Sequence, residues 1–337
     1  MKTILTISCL LIFGAMIVVV KDQLENGTPS HVESSLLGQS KVDTNPSQEK
    51  PSQDRKVDLN METVQSDAES DDTPNAKTVV DLKALPDYQK SQKYQALAQK
   101  MESRDDVMKH LIFIHGLGEQ LPLDEREHLY SYVIHGETDG RSLVVKDEVL
   151  RQLERQKLRP AEYENTLAAI VKDRSIDGDL RGYVVQHLWS AYSKVDDVGK
   201  DIVRKSLVGA VGDSKSDVSG TAIMAMADLG RKFPGSFSKE DTQRLTRQML
   251  SADMAHQPSL LSAVSVAGEM GVAEGLEVAL RQLRESNDVA MKIASIYAIG
   301  KLGDEKYLEI LNDMAEQNVV YQPSVELAIS NIRKHNE

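Results

Sequence analysis

Apolar and aromatic residues recur at helical spacing along most of the chain. From about residue 86 onward, residues such as Tyr88, Ser91, Tyr94 and Leu97 follow one another at the interval that places them on one face of a helix. No segment alternates apolar and polar residues convincingly, as a half-buried strand would. The pattern therefore predicts an all-α fold in which short loops join antiparallel helices.

Capping and turn residues predict where some of these helices begin. Pro86-Asp87 can begin a helix, and Pro160 fits the first turn of another helix through residues 161–173. Two further pairs have the spacing of a capping box, namely Asp124 with Glu127 and Ser238 with Asp241.

A sequence pattern repeats through the second half of the chain. Its clearest copy, DVAMKIASIYAIGKLGD, runs from Asp288 to Asp304. Copies of decreasing similarity are centred on Ala263 to Gly271, Ala222 to Gly230, Val185 to Ser193 and Val325 to Ile332. Between them lie apolar-periodic stretches such as EGLEVALRQLRE and EKYLEILNDMAE. Small residues allow close helix contacts, a final glycine can end a helix in a left-handed conformation, and each helical pair needs the next one to cover its apolar face.

These residues resemble the HEAT-like repeats, in particular the short type named after phycobilisome lyases. The family skeleton is V-R-x-x-A-x-x-A-L-G-x-I-G-D; here Met291 and Lys292 stand in the Val and Arg slots, and Ile299 and Leu302 in the Leu and Ile slots. The resemblance is good for residues 288–315, fair for 217–284, weak for 178–212 and 320–335, and only suggestive for 86–175.

The resemblance implies a right-handed α-solenoid of helical pairs, whose second helices line a concave and usually protein-binding surface. It does not imply lyase activity, since the motif holds no catalytic group. Arg181 and Lys292 lie near the Arg slots of their repeats. They are expected either to bond to neighbouring turns or to contact a partner protein, and they are our candidate partner-binding residues.

The N-terminus has the composition of a membrane segment. Residues 4–20, ILTISCLLIFGAMIVVV, carry no charge, and this mostly apolar run of 17 residues lies at the lower limit for a spanning helix. We predict an uncleaved anchor over residues 1–21. A cleaved signal peptide is an alternative, although no small-x-small site follows, and a lipoprotein anchor on Cys9 is another. Lys2 before the segment and the acidic residues after it favour an inner-membrane protein with an extracytoplasmic, periplasmic C-terminal part.

The segment that follows is polar and acidic. Residues 21–80 contain six basic and twelve acidic residues and no aromatic one. Such a chain cannot bury enough apolar surface to offset its conformational entropy, so we predict a disordered linker over 22–85. An irregular helical region over 86–175 and HEAT-like repeats over 176–337 complete the predicted domains.

Overall composition excludes some classes of partner and site. The net charge is −12, which disfavours a nucleic-acid partner because phosphate binding needs a basic surface. Cys9 is the sole cysteine, so neither an intramolecular disulfide nor a thiolate zinc site can form. Only 4% of residues are aromatic, and the sequence predicts no cofactor.

The stretch IHGLGE (114–119) raises the question of a hydrolase, because an apolar run ending in His-Gly-x-Gly is typical of an oxyanion turn. That fold also needs a G-x-S-x-G elbow, which does not occur in the chain. A second Ile-His-Gly triplet at 134–136 favours helix ends instead. We therefore expect residues 111–115 to be helical and Gly116 to close that helix with a positive φ.

Four histidines lie close together in sequence. His128 and His135 are seven residues apart and share a helical face, where a metal could bind with a carboxylate such as Glu127. No metal motif occurs, and we interpret them as surface or capping residues. Trp189 occupies an apolar repeat slot and is predicted to be a core residue, or otherwise an anchor for a partner.

The sequence thus predicts a non-catalytic, membrane-tethered HEAT-like protein that acts as a protein-protein interaction scaffold or adaptor. The alternative is an enzyme or ligand-binding protein that uses a pocket in the helical region 86–175.

Overall fold

Helices make up most of the described structure. The computed structural model describes residues 80–157, 159–213, 216–251 and 257–335; these residues form thirteen α-helices and no strand, which confirms the all-α class for them. The helices are α1 (Arg104–His115), α2 (Leu123–His135), α3 (Gly140–Glu154), α4 (Tyr163–Lys172), α5 (Gly178–Ala191), α6 (Asp197–Val211), α7 (Asp217–Lys232), α8 (Lys239–Ser251), α9 (Gln257–Met270), α10 (Glu274–Glu285), α11 (Val289–Leu302), α12 (Leu308–Gln317) and α13 (Gln322–His335). Short 3₁₀ helices span Tyr88–Lys90, Gln95–Ala98, Tyr192–Lys194, Glu305–Tyr307 and Val319–Tyr321.

The predicted anchor (1–21) and most of the predicted linker lie outside the described residues. The description begins at Val80, which is buried, and Leu82 and Leu85 also pack against the core. The packed region therefore begins a few residues before position 86. In the part of the chain that is described, no helix has both the length and the apolar character needed to cross a membrane.

The helices pack in two alternating sets. Each odd-numbered helix packs against the next odd-numbered one, from α1 through to α13. The even-numbered helices lie against the odd ones, and α4 with α6 and α8 with α10 also contact each other. The buried apolar side chains form one continuous cluster that extends from Val80 to Ile332.

The repeated sequence pattern marks the odd-numbered helices. Its five copies fall on α5, α7, α9, α11 and α13, and the stretch EGLEVALRQLRE is α10. The even-numbered helices are therefore the second helices of the pairs. Among the described residues, every copy of the pattern is packed against the next copy, as the small-residue slots predict.

Glycine allows the odd-numbered helices to approach closely. A Cβ added at Gly220 of α7 would lie 2.9 Å from the Ser262 Oγ of α9. At Gly268 of α9 it would lie 3.0 Å from the Cα of Ala298 of α11. At Gly300 of α11 it would lie 2.5 Å from the Cα of Ala328 of α13. Each contact is too short for a larger side chain without movement of the next helix.

The cap predicted at Ser238 is confirmed without the reciprocal backbone bond of a full capping box, and the box predicted at Asp124 is wrong. The Ser238 Oγ accepts a hydrogen bond from the Asp241 backbone N–H (2.9 Å), just before α8. Asp124 does not cap α2, since that helix already begins at Leu123 after an extended Pro122. The fixed φ of Pro122 sets the start two residues earlier. Pro160 lies ahead of α4, and its carbonyl accepts from the Tyr163 N–H (3.1 Å).

The predicted helix-ending glycines behave in different ways. Gly116 does end α1, so residues 111–115 are helical as expected, but its φ is −79°, and the predicted positive φ is wrong. Its N–H still bonds to the carbonyls of the last turn, which keeps it right-handed. Gly271 has a φ of +73° after α9, the left-handed ending expected of these glycines. Gly230 lies within α7, and Gly303 follows α11 with extended backbone.

Candidate interaction surface

Half-buried apolar side chains cover one face of the odd-numbered repeat helices. Tyr183, Leu261 and Ile293 occupy the same slot of the repeat on α5, α9 and α11, and each packs partly on the core. The slot one helical turn later holds Met224 on α7, Tyr297 on α11 and the exposed Leu327 on α13. In the first slot α7 has Gly220, and in the second slot α5 and α9 have the buried His187 and Ser265. Residues four apart share a helical face, and we group the six apolar side chains under the name apolar row.

Polar groups follow the apolar row one turn closer to the helix C-termini. Asp228, Glu269 and Lys301 occupy the same repeat slot on α7, α9 and α11. The Trp189 Nε1–H of α5 donates to Asp228 (2.9 Å), and Arg231 contacts both Asp228 and Glu269 at 2.6 Å. We call these five residues the polar strip. Its contacts link α5, α7 and α9.

Burial and hydrogen bonds act in opposite directions on Asp228. Burial by itself raises the pKa of its carboxyl group. Hydrogen bonds from Lys232, Arg231 and Trp189 outweigh burial, and the pKa lies below its usual value. Burial, followed by the nearby Glu269 charge, raises the pKa of Tyr297. Asp228 is therefore a carboxylate and Tyr297 a neutral phenol at neutral pH.

The second helices present a different surface. The exposed residues of α10 are charged, namely Glu274, Glu277, Arg281, Arg284 and Glu285. On α12 they are mostly acidic, including Glu309, Asp313 and Glu316. The resemblance to HEAT-like repeats places the binding surface on second helices. Half-buried apolar side chains occur on both sets of helices, for example Leu276 and Leu280 on α10 and Leu308 and Ile310 on α12. We place the candidate surface on the first helices because the apolar row extends there from α5 to α13.

Arg181 is buried at the start of α5. Its guanidinium donates to the backbone carbonyls of Ile176 and Val171 and pairs with Asp213. Arg181 therefore bonds to neighbouring turns, which was one of the two alternatives predicted for it. Its side chain is only 6% exposed, so little of it is accessible to a partner.

Lys292 and Trp189 are both half-buried. The Lys292 Nζ lies 6.0 Å from the centroid of the Tyr321 ring, at the edge of the range for a cation–π contact. Lys292 also directly precedes Ile293 of the apolar row. Trp189 packs against the core while its indole N–H reaches the polar strip. The contact with the core agrees with the first predicted role, and the role as an anchor for a partner stays a prediction.

The clustered histidines take local structural positions. His110 and His128 each bond to a backbone carbonyl of their own helix, and His115 bonds to Glu148 (3.0 Å). Across the described ranges no group of three or more His, Cys, Asp or Glu side chains could hold a metal ion. Because His115 ends a helix, the oxyanion-turn interpretation of IHGLGE has no structural support.

A cleft of about 470 Å³ lies in the predicted helical region 86–175. Its walls include Leu121, Pro122 and Pro160, and the side chains of Arg126 and Arg159. Each arginine is already paired with a buried glutamate: Arg126 with Glu162 and Arg159 with Glu164. The cleft therefore carries no excess of positive charge from these arginines.

The chain matches no family model, no curated protein and no solved structure. The resemblance to HEAT-like repeats stays a prediction based on the residues of the chain.

Apart from Trp189, the polar strip was not predicted from the sequence, and neither was the buried His187. The strip has a detectable signal, because Asp228, Glu269 and Lys301 recur at one repeat position. His187 occupies the slot that holds Met224 and Tyr297 in other copies, which is unusual for a titratable residue. Its partners, Asp147 and Glu154, come from outside the repeats and have no sequence signal.

Proposed function

We propose that the protein is a non-catalytic, membrane-tethered α-solenoid of HEAT-like repeats that binds another protein. The bound protein contributes an apolar segment that lies across the apolar row on the first helices. The polar strip beside the row orients that segment through its charged and aromatic groups. The residues before position 80 supply the anchor and the acidic linker of the scaffold.

The observation that carries this proposal is the recurrence of half-buried apolar side chains at one slot on three of the repeat helices, α5, α9 and α11, whereas α7 has Gly220 in this slot. Tyr183, Leu261 and Ile293 share a slot, and half-buried apolar groups in a row are typical of the centre of an interface. A stack of rigid helices presents such a row with little loss of conformational entropy on binding.

Photo-cross-linking from defined positions tests the proposal. A benzophenone amino acid at Tyr297 is expected to form an adduct with one protein in the membrane fraction. The same probe at Arg281, on the charged surface of α10, is the matched control and is expected to form none. The exposed Leu327→Asp change in the row should remove the Tyr297 adduct. Equal adducts from both positions, or none from Tyr297, would contradict the proposal.

The proposed location is a single-pass inner-membrane protein with its helical part in the periplasm, or an exported protein after signal cleavage. It is supported by the uncharged run at 4–20 and the flanking charges. Protease added to spheroplasts should digest the helical part. Protection of residues 80–335 until the membrane is broken would exclude this location.

A ligand-binding function is the second candidate, and the cleft is the observation that favours it. The Nη2 of Arg159 is buried there without a hydrogen-bond partner among the described residues. A small molecule with an acceptor oxygen could satisfy this group. Thermal-shift measurements with carboxylates and phosphates, repeated on Arg159→Gln, test this function. Stabilisation that survives the substitution, or no stabilisation at all, would rule out the site.

A further inference from the structure

His187 links the N-terminal helices to the repeats. It lies on α5, is 6% exposed, and its ring is placed between two carboxylates of α3. The Nε2 lies 2.9 Å from an Asp147 oxygen, and the Nδ1 lies 3.5 Å from a Glu154 oxygen. Both partners come from the same helix, so the ring holds α3 to α5 at two points.

Each ring nitrogen faces a carboxylate oxygen, so only the protonated ring, which carries an N–H on both nitrogens, can donate to both carboxylates. Arg151 of α3 also bonds to Asp147 (3.0 Å), and Lys194 after α5 also bonds to Glu154 (2.7 Å). Tyr163 of α4 faces the Nδ1 with a neutral hydroxyl at 3.5 Å. Next to Tyr163, Glu164 of α4 pairs with Arg159, which precedes the helix.

Tyr163 provides an alternative partner for the neutral ring. In the structure its hydroxyl donates to the Leu150 carbonyl (3.2 Å). A neutral imidazole has one N–H and one acceptor nitrogen. If the N–H stays on the Nε2 toward Asp147, the bare Nδ1 faces the Glu154 carboxylate, and two acceptors then repel each other. The Tyr163 hydroxyl can turn to the Nδ1, and Glu154 then has Lys194 as its remaining charged partner here.

The His187 cluster lies where two neighbouring odd-numbered helices pack least extensively. Among neighbouring odd-numbered helices, α3 and α5 have the least extensive packing. They also stand at the predicted boundary between residues 86–175 and the repeats. The contacts of His187 with Asp147 and Glu154 therefore contribute a larger fraction of the α3–α5 interface than two such contacts would between repeat helices.

We propose that His187 is a pH-dependent joint: the protonated ring holds α3 against α5, and loss of its proton releases Glu154 and loosens the junction. The N-terminal helices then change their position relative to the repeats. This inference rests on the fold alone and does not depend on the proposed function.

The titration supports the direction of this change. Burial lowers the pKa of His187, but hydrogen bonds and charge from Asp147 and Glu154 outweigh it and hold the pKa above its usual value. Burial raises the pKa of Glu154, while His187 and Lys194 together lower it to about 2. A raised histidine pKa stabilises the folded junction below about pH 6.5 and loses that contribution as pH rises through the folded value. The junction therefore tightens in mild acid and loosens in mild base.

Distance measurement between two spin labels tests the joint in the full chain. The labels are placed at Val144→Cys on α3 and Ser190→Cys on α5, both exposed, with Cys9→Ser to avoid a third label. Between about pH 5 and pH 9, which brackets histidine titration, we expect the distance distribution to shift or broaden by about 2 Å, the scale of a helix displacement. A distribution that does not change with pH would overturn the proposal.

Two substitutions identify the responsible group. His187→Gln cannot be protonated and should have the loosened distribution at every pH. His115→Gln removes the exposed His115–Glu148 pair, and this matched control should keep the pH response. If His187→Gln does not fold by circular dichroism, Glu154→Gln replaces it. Glu154→Gln should lower the His187 pKa, measured by NMR, and move the pH at which the distance distribution changes to a lower value. The joint is refuted if Glu154→Gln leaves that pH unchanged, or if His187→Gln keeps the pH response.

Discussion

Gly300 provides the most direct test of how successive repeat helices pack. It lies two residues before the end of α11, and a Cβ built there would be 2.5 Å from the Cα and 2.6 Å from the Cβ of Ala328. Carbon atoms in van der Waals contact need roughly 3.5–4 Å. The obstructing atoms include backbone, so rotation of a side chain cannot relieve the clash. Gly300→Ala therefore requires α13 to move away from α11.

The expected magnitude follows from two opposing effects. Alanine in place of glycine favours a helix by up to about 1 kcal/mol. Overpacking of a close contact costs roughly 1–3 kcal/mol, and a backbone clash belongs to the upper part of that range. The net expectation is that Gly300→Ala lowers the free energy of unfolding by about 1–2 kcal/mol. Because α13 is the last described helix, much of this loss should be local to it.

Gly209 is a closely matched control. It also lies two residues before the end of its helix, α6, and a Cβ added there meets nothing within 4 Å. Gly209→Ala should therefore raise the free energy of unfolding by up to about 1 kcal/mol. Urea denaturation followed by circular dichroism measures both variants. Hydrogen exchange of residues 322–335 then shows whether α13 in particular has lost protection.

The two substitutions are chemically identical, so their difference isolates the helix–helix contact. If Gly300→Ala is as stable as Gly209→Ala and the exchange of α13 is unchanged, α11 and α13 do not pack at the distance described. The small-residue explanation of the repeat would then be wrong. A general loss of stability without faster exchange in α13 would contradict the local part of the reasoning.

Other predictions follow from single contacts. Arg181→Met should destabilise the fold by about 3–5 kcal/mol in urea denaturation, because it removes the charge that pairs with the buried Asp213. The control Arg174→Met, at an exposed position, should change the free energy of unfolding little. Asp288→Ala should lower the free energy of unfolding by about 1 kcal/mol, because the Asp288 side chain accepts from the Met291 N–H (2.9 Å) at the start of α11. Asp124→Ala should lower it by less than half of that, because Asp124 does not cap its helix. Trp189→Phe should cost about 1–2 kcal/mol through loss of the hydrogen bond to the Asp228 carboxylate, and a normal melting temperature would show that this bond is unimportant.

The fold class and the positions of the repeat helices were predictable because they depend on local periodicity. The spacing of Ala222, Ala263 and Ser295 places small residues on helices that do pack together. The details of helix ends were less predictable. Asp124 has the spacing of a cap, yet Pro122 starts the helix earlier, and Gly116 has no need of a left-handed conformation because its N–H continues the right-handed turn. Such choices depend on the path of the following loop, which periodicity does not contain.

The candidate surface was only partly predictable for a related reason. Arg181 and Lys292 were chosen from a slot in the repeat, but exposure depends on what covers that slot. Asp213, which follows α6, pairs with Arg181 and helps to bury it. His187 became a candidate only when α3 placed two carboxylates beside it, since those residues lie about 30 to 40 positions earlier in the sequence. Contacts of this kind are set by tertiary packing.

The exposed charges of the polar strip contribute too little to stability for the fold to require them. Arg231 is 61% exposed and Glu269 is 33% exposed, and exposed ion pairs contribute roughly 0–1 kcal/mol. The close helix contacts at Gly220, Gly268 and Gly300 act independently of these charges. Glu269→Gln and Lys301→Gln should therefore leave the free energy of unfolding almost unchanged. A purely structural role of these charges would lower the free energy of unfolding of the two variants. If the variants instead keep their stability and weaken cross-linking from Tyr297, the charged residues in this slot serve recognition of the partner.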